Sequence, residues 1–101
     1  MMYEAFDGKM FDNCFLCAVY ESFHANKKLF QEARFCTSSL EPVQPWTEKF
    51  WEEVAFMSIP SLEAGEIIKK WFQHEDPEIC RDEDSWVGTL YRDDNYGWVE
   101  F

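Results

Sequence analysis

The hydrophobic and polar positions along the chain predict a β-hairpin near its beginning. Apolar residues flank Asp7-Gly8 on both sides, at Tyr3, Ala5, Phe6, Met10 and Phe11. An Asp-Gly pair supplies the positive φ angles that a two-residue type I′ turn requires. We therefore predict a hairpin over residues 3–11.

The next stretch has the periodicity of an amphipathic helix. Apolar residues recur at i, i+3, i+4 and i+7, namely at Leu16, Val19, Tyr20 and Phe23, which places them on one helical face. Asp12 or Asn13 can accept hydrogen bonds from the exposed N–H groups of the first turn. A helix over residues 13–25 follows, and the Lys27-Lys28 pair lies beyond its end.

Residues 29–36 fit two structures. They can continue as helix, or they can alternate as a short strand through Phe30, Glu32, Arg34 and Cys36. We predict a strand. The prolines and serines of residues 37–45 then indicate a loop, because these residue types punctuate regular structure.

Two helices are predicted between residues 46 and 74. Phe50, Val54 and Met57 form one stripe over residues 46–57, and Pro60 ends that helix because it lacks an N–H donor. Ser61 can cap the second helix, over residues 62–74. Its inward positions are Ala64, Ile67, Ile68, Trp71 and Phe72, and its outward positions are Lys69, Lys70 and Gln73. Gly65 should weaken this helix by roughly 1 kcal/mol relative to alanine.

The chain ends in a second predicted hairpin. Residues 86–91 and 96–101 have strand-like patterns, and the polar residues 92–95 form a turn. We expect Trp86 and Trp98 to pack into the core.

The predicted fold is α+β, in a single domain over residues 1–101. It comprises a hairpin plus helix in residues 1–36, a loop in 37–45, two helices in 46–74, and an acidic connector with a hairpin in 75–101. We expect the N-terminal and C-terminal hairpins to form one small antiparallel sheet with about three helices packed on it.

Negative charge is concentrated at the end of the chain. Residues 75–101 hold nine acids and two bases, so they carry −7 of the net charge of −11. Such a charge disfavours direct binding of nucleic acid, because the phosphates are repelled. It favours a basic protein surface as the partner. With 47% hydrophobic residues, the chain can still bury a core.

The sequence also predicts where the protein resides. No apolar run approaches the length that a membrane-spanning helix needs, and the first residues lack a basic segment followed by an apolar one. We therefore expect a cytoplasmic protein with no membrane partner.

No recognisable motif for catalysis or cofactor binding is present. The four glycines are not clustered as a phosphate-binding loop requires, and neither His24 nor His74 belongs to a nucleophile motif. Cys14-x-x-Cys17 is compatible with the start of a zinc site, but no second ligand pair follows at a suitable spacing. We expect buried thiols, no cofactor and no enzyme activity.

Acidic and aromatic side chains near the end of the chain are the candidate partner-binding residues. Acids on one face of a helix or hairpin stand about 5–6 Å apart, which is of the order of the phosphate spacing along a nucleic acid. Aromatic side chains among them can supply strong contacts. The predicted set is Glu75, Asp76, Asp82, Glu83, Asp84, Tyr91, Asp93, Asp94 and Tyr96.

The opening residues resemble those of small phage and mobile-element proteins. Residues 3–11 read Y-x-A-x-D-G-K-x-F and Tyr20-Glu21 follows, as in proteins that open with such a hairpin and a short helix ending in Y-E. In its size, acidity and single domain, the chain is also similar to phage-encoded inhibitors of host defence, such as anti-CRISPR proteins and DNA mimics. The resemblance implies a protein that excludes nucleic acid from a CRISPR effector, or from another nuclease, in the bacterial cytoplasm.

Two alternatives stay open at this point. One is a structural or assembly module of a phage or mobile element, with the possibility of a homodimer formed through exposed aromatic surface. The other is a small zinc-binding domain that uses Cys14 and Cys17.

Overall fold

The computed structural model describes residues 1–75, 77, 85–93 and 97–100, and over these residues the predicted α+β class is confirmed. One sheet pairs β1 (Tyr3–Glu4) with β2 (Met10–Phe11). A second antiparallel sheet has the order β3 (Arg34–Thr37), β4 (Val54–Ile59), β5 (Gly88–Asp93) and β6 (Gly97–Glu100). The helices described are α1 (Cys14–Ala25), α2 (Glu48–Glu53) and α3 (Leu62–Glu75).

The N-terminal hairpin is present, but its turn differs from the prediction. The Gly8 N–H donates to Ala5 O at 2.9 Å, and the Ala5 N–H donates to Lys9 O at 2.8 Å. Gly8 has a φ of 90°, whereas Asp7 does not have a positive φ. The connection is therefore a three-residue loop with glycine in the left-handed position, and the predicted two-residue type I′ turn is wrong.

The two terminal hairpins belong to different sheets, so the expected single sheet is corrected. Ala5 and Phe11 of the first hairpin are buried in a cluster with Leu16, Cys17 and Tyr20 of α1. Because this contact already covers the apolar side of the hairpin, β1 and β2 form a separate layer on α1. The C-terminal hairpin instead extends the sheet built by β3 and β4.

One face of the four-stranded sheet forms the main core. Phe35, Met57 and Leu90 are paired across β3, β4 and β5, and all three are buried. Helix α3 covers this face, with the Phe72 ring 5.6 Å from that of Trp98. Trp86 and Trp98 are 3% and 6% exposed, which confirms the prediction that they pack into the core.

The largest error of the sequence prediction concerns residues 46–57. Only α2 is helical there, and Val54 has extended backbone angles, so that the chain continues as β4. Phe50, Val54 and Met57 lie on one stripe of an ideal helix, but the same residues are buried when a helix turns into a strand at Val54. Strand β4 pairs with β3 and β5, and these hydrogen bonds are not visible in a local pattern.

The ambiguous segment at residues 29–36 is a strand only in its second half. Residues 26–32 form turns, and β3 begins at Arg34. Phe30 is buried at the end of these turns. The predicted loop that follows is confirmed in outline, with an isolated bridge between Cys36 and Pro42.

Helix α3 is close to its prediction. The Ala64 N–H donates to Ser61 Oγ at 3.1 Å, which confirms the predicted cap. Lys69, however, is only 4% exposed, although we expected it to point outward. Lys69 lies on the same side of α3 as Ile68 and Phe72, and all three side chains are buried.

Gly65 has a role that the helix propensity does not show. A Cβ atom at this position would lie 1.7 Å from the backbone oxygen of Trp86. Only glycine lets the chain before β5 approach α3 this closely. The predicted weak point of the helix is therefore a requirement of its packing.

Candidate binding site

Three predicted partner-binding residues lie in the described part of the chain, on two sides of the sheet. Glu75 is the exposed last residue of α3. Tyr91 and Asp93 alternate with Leu90 along β5, so they lie on the face that points away from α3. These positions do not bring Glu75 together with the other two. The remaining predicted residues, which lie outside the described residues, are Asp76, Asp82, Glu83, Asp84, Asp94 and Tyr96.

Glu75 lines a small cavity where the three helices meet, which we call the acidic pocket. Its volume is about 200 Å³. The lining residues come from α1 and its cap, from α2 and from α3, and they are Asn13, Phe15, Leu16, Glu48, Trp51, Glu52 and Glu75. Three carboxylates thus surround one opening, and no lysine or arginine among the described residues lines it.

Aromatic rings form a wall of the acidic pocket. The Phe15 and Trp51 rings meet edge to face, with centroids 5.2 Å apart, and both side chains are half-buried. His74 stacks on Phe15 at 4.5 Å. The Trp51 indole N–H donates to Pro45 O at 2.8 Å, which fixes the orientation of the ring. The wall is therefore held in place before any ligand arrives.

Local sequence explains how two helices present these groups. Asn13 caps α1 by accepting from the Leu16 N–H at 3.1 Å, and Thr47 caps α2 by accepting from the Phe50 N–H at 3.3 Å. Glu48 and Glu52 are four residues apart and lie on one side of α2. The caps set where each helix starts, and hence which side chains reach the pocket.

Sequence reasoning missed most of the acidic pocket. None of Glu48, Glu52, Phe15 and Trp51 was singled out as a contact residue. The available signal was an acidic i, i+4 pair that flanks a tryptophan on a helix. The meeting of α2 with α1 and α3 depends on the tertiary fold.

A neighbouring lysine is paired away from the acidic pocket. Lys49 Nζ lies 2.9 Å from Glu41 Oε2. The hydrogen bond and the charge of Glu41 raise the pKa of Lys49, and Lys49 lowers the pKa of Glu41 in return. Both groups are exposed, so this ion pair contributes little to stability. Its effect here is to leave the pocket carboxylates without this counter-ion.

The outer face of the sheet is a second exposed feature. Cys36, Phe56, Tyr91 and Val99 pair across all four strands, and each is half-buried. Leu40, with 71% of its surface exposed, borders the same face. A cavity of about 430 Å³ at this face is lined by Arg34, Cys36, Leu40, Phe56, Met57, Ser58 and Thr89.

The candidate zinc ligands Cys14 and Cys17 both lie on α1. Cys14 is exposed and Cys17 is buried, so the two thiols have different surroundings. Burial, with smaller effects from Glu21 and Cys14, raises the pKa of Cys17, which disfavours the thiolate that zinc binds. Within residues 1–75, 77, 85–93 and 97–100, no group of three metal-ligating side chains is assembled.

A hydrogen bond ties the N-terminal hairpin to α1. The Tyr20 hydroxyl donates to the Asp7 carboxylate. This bond lowers the pKa of Asp7 and raises the pKa of Tyr20. The Tyr20 ring also meets Trp46 edge to face at 5.2 Å, so the hairpin supports the far end of α1.

Comparisons with protein-family models, with curated proteins and with solved structures found no match for this chain. Among the described helices, none combines the length and the apolar character needed to cross a membrane.

Proposed function

We propose that this protein is a non-enzymatic inhibitor that binds a basic, nucleic-acid-binding site on another protein. The observation that carries the proposal is the acidic pocket, in which Glu48, Glu52 and Glu75 surround an opening walled by Phe15 and Trp51. The pocket is smaller than the usual site for a cofactor or drug-sized ligand, which is about 300–1,000 Å³. Its size suits a single side chain of a partner.

A lysine or arginine side chain is the group that this pocket would accept. The carboxylates attract the cation and can form charge-assisted hydrogen bonds with it. The half-buried aromatic wall adds a cation–π contact, which is strongest with tryptophan. Because the wall is already ordered by the Trp51–Pro45 hydrogen bond, little side-chain entropy is lost on binding.

The charge of the chain extends this local attraction. Residues 75–101 carry a net charge of −7, and they begin at Glu75, which lines the acidic pocket. A net negative charge of this size raises the association rate with a basic partner, and the protein competes with nucleic acid for the same site. The predicted residues Tyr91 and Asp93 would then form a separate contact on the outer sheet face.

The resemblance of the opening residues to phage proteins gives the most specific form of the proposal. In that form the protein is encoded by a phage, acts in the cytoplasm of the bacterial host, and binds a CRISPR effector or another nuclease of host defence. Its mechanism is the exclusion of nucleic acid by steric overlap and by charge, with no catalytic step.

The test is retention of a bacterial partner on the immobilised protein at low salt, followed by elution at high salt. We expect a nucleic-acid-binding protein to be retained and then released, because the ion pairs are screened. A Glu48→Lys, Glu52→Lys variant should reduce the affinity of the purified partner by at least about a hundredfold, since each reversal removes an attraction and adds a repulsion.

The matched control reverses two exposed acids of α3 that do not line the acidic pocket. Glu63→Lys, Glu66→Lys makes the same change in net charge. Equal loss in both variants would show that total charge, and not the acidic pocket, determines the affinity. Retention of no nucleic-acid-binding protein would contradict the inhibitor proposal itself.

The outer sheet face favours a second candidate function, that of an assembly module. Cys36, Phe56, Tyr91 and Val99 form a half-buried row of mostly apolar side chains, which a second copy of the chain could cover. Light scattering during size-exclusion chromatography should then show a dimer that Phe56→Thr converts to a monomer. A monomer at every concentration would exclude this candidate.

A further inference from the structure

A groove at the other end of α1 has the opposite charge to the acidic pocket. Two cavities, of about 450 Å³ and 500 Å³, share Phe23, Phe30 and Gln31 in their lining, so they adjoin. We call this combined feature the basic groove. Lys27 and Lys28 line one of its cavities, and Arg34 lines the other.

The basic groove is exceptional within so acidic a chain. The protein has nine lysine and arginine residues against twenty acids, yet three bases line this one feature, and none of the described acids does. All three bases are exposed. The Arg34 hydrogen bonds, to Gln31 O at 3.2 Å and Ala33 O at 2.8 Å, both use Nη1. They hold Nη1 against the backbone of residues 31–33 beside the groove, and Arg34 also lines the cavity on the outer sheet face.

The floor of the basic groove is aromatic and preformed. The Phe23 and Phe30 rings stack with centroids 4.9 Å apart and an interplanar angle of 7°. Trp46 meets Phe23 edge to face at 5.1 Å, and both are half-buried. A flat ring of a ligand can therefore lie against exposed aromatic surface without reorganising the core.

Polar groups complete the lining. Gln31 and Gln44 line the same cavity as Phe23 and Trp46, and both glutamines are exposed. A glutamine amide can donate to and accept from the edge of a nucleobase. The groove thus combines positive charge, a flat apolar floor and amide groups, within a volume typical of small-molecule sites.

We propose that the basic groove binds a nucleoside monophosphate. The base would lie against Phe23 and Trp46, and the phosphate would contact Lys27, Lys28 and Arg34. A phosphate monoester carries roughly two negative charges at neutral pH, which three bases can balance. The bases act locally because distant surface acids are screened beyond about 8 Å at physiological salt. This inference does not depend on the inhibitor proposal.

The charge distribution of the protein favours a mononucleotide over a nucleic-acid strand as the ligand of the basic groove. A strand extends beyond the groove over the acidic surface of a protein with a net charge of −11, and each further phosphate is repelled. A mononucleotide has a single phosphate, which contacts the bases of the groove and does not extend over the acidic surface. We therefore expect binding to weaken as a ligand is lengthened from one nucleotide to several.

Nuclear magnetic resonance titration of the full chain with adenosine monophosphate tests the proposal. We expect shifts of the Gln31 side-chain amide and the Trp46 indole, with a dissociation constant below about 1 mM. Adenosine and inorganic phosphate should each bind at least about tenfold more weakly, because each makes only part of the contacts. No shifts up to about 10 mM adenosine monophosphate would overturn the proposal.

A matched pair of variants assigns the binding to the groove. Lys27→Glu, Lys28→Glu should weaken adenosine monophosphate binding by about tenfold or more, since charge-assisted hydrogen bonds are lost. Lys9→Glu, Lys70→Glu makes the same charge change at exposed lysines that do not line the groove, and it should bind as the unmodified protein does. The dispersion of the amide spectrum reports folding of each variant. Equal affinity of the two variants would also overturn the proposal.

Discussion

The acidic pocket and the basic groove are built in the same way but carry opposite charge. Each has half-buried aromatic rings at the boundary of the core, Phe15 and Trp51 in the pocket and Phe23 and Trp46 in the groove. Each has three charged side chains at its rim. Helix α1 contributes Phe15 to one and Phe23 to the other.

The difference shows why a total charge is a poor guide to what a small protein binds. The net charge of −11 describes the chain as a whole, but it hides a local reversal of charge between the surroundings of the two ends of α1. The aromatic residues are the shared element, because a core this rich in rings cannot cover all of them. The rim charges then select the ligand that reaches each exposed ring.

The largest effect we expect is a loss of stability that weakens binding at both sites. Gly65→Ala should lower the free energy of unfolding by about 2 kcal/mol or more, since the new Cβ overlaps the Trp86 backbone. Helix α3 supplies Glu75 to the pocket, and its Trp71 packs on Phe30 of the groove at 5.4 Å. Urea denaturation measures the loss. Both ligands should be weakened together.

Glu66→Ala is the control, because it places alanine at an exposed position of the same helix. Its free energy of unfolding should change by less than about 0.5 kcal/mol. If the free energy of unfolding of Gly65→Ala were instead higher by roughly 1 kcal/mol, as helix propensity alone predicts, the close approach of Trp86 to α3 would be contradicted.

This contrast also marks how much of the fold could be predicted from the sequence. Helices α1 and α3 were predicted because each combines a cap with a long apolar stripe. Strand β4 was not predicted, because it is stabilised by pairing with β3 and β5, which are distant from it in sequence. Gly65 was misread for the same reason: its meaning comes from Trp86, more than twenty residues away.

A smaller effect should separate the two sites. Phe15→Leu removes one ring of the pocket wall and should weaken binding of a basic partner by about fivefold, the typical value of a partly exposed cation–π contact. Binding of adenosine monophosphate should be unchanged. Phe23→Leu is the mirror control and should weaken only the nucleotide. Calorimetric titration of both ligands against both variants checks this, and loss of both ligands in either variant would count against separate sites.

The sites were harder to predict than the fold. Glu75 was identified from the local density of acids, but its neighbours Glu48 and Glu52 lie on another helix. Lys27 and Lys28 were recognised only as the end of a helix. Which charged side chains meet an aromatic ring depends on how α1 packs against α2 and α3, and a sequence pattern shows only what lies within one element.

The smallest effect concerns the hairpin that supports the groove end of α1. The hydrogen bond from Tyr20 lowers the pKa of Asp7. The stabilisation of the fold by this bond is therefore present above the ordinary pKa of 3.8 and is lost as the pH falls. The same hydrogen bond raises the pKa of Tyr20. The stabilisation that it gives is therefore present below pH 10.0 and is lost as the pH rises above this value. Tyr20→Phe should therefore be less stable than the unmodified protein at pH 7, and the difference should be lost at a pH well below 3.8, once the pH has fallen through the lowered pKa of Asp7.

Urea denaturation at the two pH values measures that difference, and Tyr3→Phe serves as a control that should show no such pH dependence. A difference between Tyr20→Phe and the unmodified protein that is the same at both pH values would show that the hydrogen bond to Asp7 is not its source.

The most direct test of two separate sites is chemical-shift mapping of one sample with two small probes of opposite charge, tetralysine and adenosine monophosphate. We predict that tetralysine shifts the resonances of Phe15, Trp51 and Glu52, whereas adenosine monophosphate shifts those of Phe23, Gln31 and Trp46. Each probe should still bind when the other is saturating. Shifts of the same residues by both probes, or tetralysine shifts confined to residues 85–100, would contradict the account.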